Sequence, residues 1–68
     1  MKVVELISPM TAITTIRIFK EASGKDIYTG TLYHLCFCDD YDELRQDLCN
    51  MPVLTITSEK NNIIEIGV

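Results

Sequence analysis

A chain of 68 residues with 47% apolar side chains can form one hydrophobic core and not two, and it buries only about 60% of the surface its unfolded form exposes. Ten acidic against six basic side chains give a net charge of -4, which repels a phosphate backbone and argues against direct nucleic-acid binding while favouring a basic partner. Apolar runs such as Leu35-Cys36-Phe37-Cys38 are far too short for a membrane span. Lys2-Val3-Val4 also meets Glu5, Ser8 and Pro9 instead of entering a signal-like apolar stretch, so a single cytoplasmic domain over 1–68 is expected.

Val3, Leu6, Ile7 and Met10 recur at the spacing of one helical face, with Pro9 set to break or offset the helix. From Thr14 to Lys20 the period changes to two: Ile16 and Ile18 lie on one face, and Thr15, Arg17 and Phe19 on the other. This predicts a strand. The polar stretch from Glu21 to Asp26, with Gly24, predicts a turn into a second strand over Ile27 to Leu32, so 14–32 reads as a hairpin. Gly30 inside that strand marks a bulge or a close backbone approach.

Tyr33 to Cys38 fits a buried strand extension and a buried helical turn equally well. The clearest helix is Asp39 to Asn50. Asp39 or Asp40 would cap it, Glu43 stands three residues past Asp40 as in a capping box, and Tyr41, Leu44 and Leu48 form its apolar stripe. Asn50 and Pro52 would end it. A second hairpin follows. Leu54 and Ile56 face inward, Ser58 to Asn62 turn, and Ile64, Ile66 and Val68 return to the core. The predicted fold is α+β: a small four-stranded, mostly antiparallel sheet of two hairpins, covered by one main helix and a short N-terminal helix.

His34, Cys36 and Cys38 would share a face if their segment were extended, and an imidazole with thiolates suits zinc or copper(I). One-residue spacing is tighter than that of structural zinc sites, and free cysteines also pack as small hydrophobes, so no metal or other cofactor is expected. An odd count of three cysteines points to reduced thiols. With a single histidine and no nucleophile-elbow, zincin or phosphate-loop motif, the chain reads as a non-enzyme.

Half of the acidic side chains, Asp39, Asp40, Asp42, Glu43 and Asp47, fall within nine positions whose one opposite charge is Arg45. Asp40, Glu43 and Asp47 at i, i+3 and i+7 would line one helical stripe and imitate a row of phosphates for an Arg/Lys-lined groove. The same acids also suit a solvated helix face near its N-terminus. On the second sheet face Arg17, Phe19, Thr55, Thr57, Ile63 and Glu65 come together, which either leaves Phe19 and Ile63 exposed for an oligomer or partner contact or lets one of these residues curl over a sheet edge into the core. An edge strand could also pair with its copy in a homodimer.

The opening Val3-Val4-Glu5-Leu6-Ile7, the strands Thr15-Ile-Arg-Ile-Phe19 and Ile27-Tyr-Thr-Gly30, and the closing Val53-Leu-Thr-Ile-Thr-Ser58 with Ile63-Ile-Glu-Ile66 carry a resemblance. In layout the chain resembles short accessory proteins of phages and mobile elements of Gram-positive bacteria. That resemblance implies a protein acting in the host cytoplasm, by type an inhibitor of a host defence nuclease, anti-CRISPR proteins among them. The resulting expectation is a non-enzymatic inhibitor or regulator whose Asp39, Asp40, Asp42, Glu43 and Asp47 surface occupies the basic groove of a nucleic-acid-handling protein. The alternative is a structural, self-associating homo-oligomeric module.

Overall fold

The computed structural model describes residues 1–58 and 62–68. In chain order these form helix α1 (Val3–Ile7), strands β1 (Thr15–Phe19) and β2 (Asp26–Thr31), and helix α2 (Leu32–Phe37). A 3-10 turn (Asp39–Tyr41), helix α3 (Asp42–Asn50) and strands β3 (Thr55–Ser58) and β4 (Ile63–Gly67) complete the chain. The fold is α+β, an open four-stranded mixed sheet in the order β2-β1-β4-β3. Each predicted hairpin is an antiparallel pair, and the two are joined through β1 and β4, which run parallel with Ile16 beside Ile64 and Ile18 beside Ile66. The predicted turn between β3 and β4 falls mainly on 59–61, outside the described residues.

The period-two pattern of β1 settles which face is covered. Ile16 and Ile18 are fully buried, and with Tyr28, Ile66, Val3, Leu32, Leu35 and Leu48 they make the core between the sheet and the helices. Gly30 allows a close approach. Tyr28, two residues back on the same face, lays its phenol over Gly30 and donates to the Thr31 carbonyl at 2.6 Å; a Cβ on Gly30 would stand 2.8 Å from the Tyr28 oxygen. The strand irregularity lies at the other end of β2, where Ile18 pairs with Tyr28 and Phe19 with Asp26, passing over Ile27.

Sequence reasoning left 33–38 open; it is mostly helical. The Thr31 hydroxyl accepts from the His34 N–H at 3.3 Å as an N-cap, and Leu32 and Leu35 turn inward one helical turn apart. The expected capping of the main helix by Asp39 or Asp40, with Glu43 closing a box, does not form. The first residues make a 3-10 turn, and α3 starts after Tyr41 without a side-chain cap. One arm of such a box appears instead at α1, where the Glu5 carboxylate accepts the Lys2 N–H at 2.9 Å. α1 ends at Ile7, with Ser8 as its C-cap just before Pro9.

One face assignment is corrected. Leu54 and Ile56 do not enter the core: they are 61% and 51% exposed, because β3 is an edge strand that the helical layer does not reach. On the uncovered face Phe19 and Ile63 are half-buried, neither fully exposed nor in the core. The Arg17 guanidinium lies over the Phe19 ring, 4.7 Å from its centre. Arg17 also bonds Asp26 on β2 at 2.7 Å and pairs with Glu65 on β4, tying three strands across that face. These carboxylates raise the Arg17 pKa above its usual value.

Candidate functional site

The helical layer holds an open groove of about 320 Å³ between α1, α2 and α3. Its floor is Leu32, Leu35 and Leu48; Val4 and Ile7 of α1 form one wall, and Tyr33 and Phe37 of α2 rise beside it. Tyr33 and Phe37, one helical turn apart, pack ring against ring at a 38° tilt with centres 4.9 Å apart, yet are 60% and 68% exposed. Burying Leu32 and Leu35 forces this, because a short helix that turns one stripe inward presents the opposite stripe to solvent. Sequence reasoning missed the groove, and its one available signal was the Leu32/Leu35 pair beside the Tyr33/Phe37 pair, each at helical spacing.

Helical geometry separates the side chains of the suspected metal cluster. His34 and Cys36 are exposed and Cys38 is half-buried at the helix end, since residues two apart on a helix point to nearly opposite sides. His34 lies edge-on to the Tyr41 ring at 5.4 Å, and the Cys38 thiol faces Asp40 at 3.8 Å. Among the described residues no group of three His, Cys, Asp or Glu side chains is placed to hold a metal ion. Cys36 and Cys49 are both free and line the groove. Tyr41 also meets Tyr28 edge to face at 5.1 Å, and burial, followed by that neighbour, pushes the Tyr28 pKa above 10.0.

Asp39, Asp40, Asp42, Glu43 and Asp47 are all exposed. Asp40 belongs to the 3-10 turn, so α-helical spacing links only Glu43 and Asp47 among these acids. Glu43 and Asp47 lie one turn apart on the side of α3 away from Leu48 and the groove. Arg45, the basic residue among these acids, is turned inward. It donates to the carbonyls of Leu35 at 2.7 Å and Cys38 at 2.9 Å, closing the end of α2, and pairs with Asp42. Asp47 sits in the last turn of α3, which has no basic residue, where a carboxylate opposes the helix dipole.

These elements define an α+β domain with helices on one face of an open sheet. Comparison with protein-family models, curated proteins and solved structures gave no match to any of them. Among the described residues no helix is long and apolar enough to cross a membrane.

Proposed function

We propose that this chain is a non-enzymatic protein-binding module that receives a basic, amphipathic segment of a partner on its helical layer. The observation that carries the reading is the Tyr33/Phe37 pair, in tilted ring contact and largely exposed at the edge of an apolar groove. Aromatic side chains of this kind are the anchors of protein interfaces, where each brings a large contact area at low entropic cost. Charge selects the partner. With Arg45 committed to backbone carbonyls and to Asp42, Glu43 and Asp47 are exposed with no ion-pair partner among the described residues, on the flank of α3 away from the groove, so a partner whose Lys or Arg residues reach across α3 from its apolar face is favoured. In its narrower form the partner is a nucleic-acid-handling protein and the chain is its inhibitor, with the acids held where phosphates would lie. Asp47 supports this form, since the helix dipole gives no reason for a carboxylate there.

The test is fluorescence anisotropy with a labelled amphipathic Leu/Lys helical peptide and its Leu/Glu counterpart. The full chain should bind the Lys peptide, more weakly as salt is raised, and ignore the Glu peptide. Tyr33→Ser with Phe37→Ser should weaken binding at least about tenfold, the loss of one interface anchor. Asp40→Lys, Glu43→Lys, Asp47→Lys should remove the salt dependence. Equal affinity for both peptides, or an unaffected Tyr33/Phe37 variant, would reject the reading.

A further inference from the structure

The two edges of the sheet are not alike. β2 is guarded by Lys25 and Asp26 at its start and by the irregularity at Ile27, the devices that keep edge strands from pairing. β3 reads Thr55-Ile-Thr-Ser58, with no charge, proline or bulge in the strand, and every residue of it is exposed. The preceding stretch is covered: Val53 donates to the Met1 carbonyl at 2.8 Å and Val3 to the Met51 carbonyl at 2.9 Å. The open edge therefore begins beyond Val53.

Backbone alternation shows which groups that edge presents. Val68 donates to Phe19 on β1 and Glu21 donates to Val68, so Ile64, Ile66 and Val68 direct their N–H and C=O groups to β1. Ile63, Glu65 and Gly67 direct theirs to β3. Glu65 lies opposite Thr57 and Gly67 opposite Thr55, so Thr55 and Thr57 bond inward. Ile56 and Ser58 turn their N–H and C=O groups outward, with no strand beyond them among the described residues.

We infer that this edge pairs with a second copy of the chain, antiparallel, with Ile56 of each copy opposite Ser58 of the other and Thr57 facing its own copy on the twofold axis. That register satisfies both outward residues of both strands. Because neither strand is charged, two chains of net charge -4 meet there without like charges across the seam. The axis stands perpendicular to the sheet, so both helical layers lie on the same side. Ile56, beside the buried Ile66, then meets its copy diagonally on that side. A stable interface covers about 800 Å² per partner, roughly one-sixth of this chain's 4583 Å². Four residues cover less, so the dimer is weak and concentration-dependent, in the micromolar range or above. The seam uses neither the groove nor the α3 acids and is independent of the proposed binding function.

Sedimentation equilibrium of the full chain from about 1 µM to about 1 mM spans this range. The weight-average mass should climb towards twice the monomer. Ser58→Pro, which removes an outward N–H and none bonded to β4, should stay monomeric with unchanged circular dichroism, as should Ile56→Lys. With Cys36, Cys38 and Cys49 replaced by Ser, Thr57→Cys should form a disulfide dimer under diamide faster than Ile56→Cys. Only the facing non-hydrogen-bonded pair, with Cα atoms about 4.5 Å apart, meets disulfide geometry. A monomer at every concentration, a Ser58→Pro variant that dimerises like the parent, or faster cross-linking by Ile56→Cys would overturn the inference.

Discussion

Replacing Arg45 tests whether α2 is held by a side chain that the sequence presents as a surface charge. Arg45 bridges the carbonyls of Leu35 and Cys38, and its side chain is 29% exposed. A hydrogen bond from a charged donor contributes about 1.5 kcal/mol or more when buried. Discounted for partial exposure, the two together give about 2 kcal/mol. Total stability of a 68-residue domain is about 3–10 kcal/mol, so Arg45→Ala should lower the melting temperature by about 8–16 °C. Arg45→Lys, a single ammonium that cannot span two carbonyls, should lose about half as much. Asp42→Asn, which removes only the exposed ion pair, should lose less than about 0.5 kcal/mol. Thermal melts and urea unfolding followed by circular dichroism measure all three. An Arg45→Ala variant within about 0.5 kcal/mol of the parent, or an Asp42→Asn loss as large as that of Arg45→Ala, would refute the bridging role.

Other substitutions probe the core and the acidic helix. Gly30→Ala forces a methyl against the Tyr28 phenol and should cost about 1–3 kcal/mol in urea unfolding. Leu48→Ala, at a site 2% exposed beneath α3, should cost about 2–5 kcal/mol. Because burial raises the Tyr28 pKa above 10.0, the unfolded chain releases that proton first. Stability from this group is full below pH 10.0 and declines as pH rises from there through the folded value. Tyr28→Phe should flatten that alkaline decline in urea midpoints measured across pH, while losing about 1 kcal/mol at neutral pH with its bond to the Thr31 carbonyl. Asp47→Lys should raise stability by about 0.3–0.5 kcal/mol by favouring the helix dipole and still weaken binding of the Lys peptide. A gain in stability without weaker peptide binding would assign Asp47 no part in docking.

Elements whose pattern is set by local period were legible in the sequence. Ile16 and Ile18 alternate with polar residues and lie inward, and Leu44 and Leu48 pack one stripe of α3 against the core beside Tyr41 of the 3-10 turn. What depends on neighbours distant in sequence was not. Leu54 and Ile56 alternate as well as any core strand, but their exposure follows from strand order, which alternation does not encode. Likewise nothing local announces that Arg45 reaches back ten residues to Leu35, or that Tyr33 and Phe37 end on the rim of a groove completed by α1. The exposed acids were legible as residues; the inward turn of their one nearby cation was not.

The parallel pairing of β1 with β4 also bears on how the chain is made. Arg17 meets Glu65 across 48 positions, so the centre of the sheet closes only when distant segments find each other, whereas each hairpin forms from neighbouring sequence. A nascent chain that has not yet yielded Ile63–Gly67 has β1 and β2 but no partner for the inner edge of β1, and its Ile16 and Ile18 lack their neighbours Ile64 and Ile66. Productive folding during synthesis therefore waits for β4 to clear the ribosome. Until then the first hairpin presents an apolar edge that a chaperone, or another nascent copy, can engage.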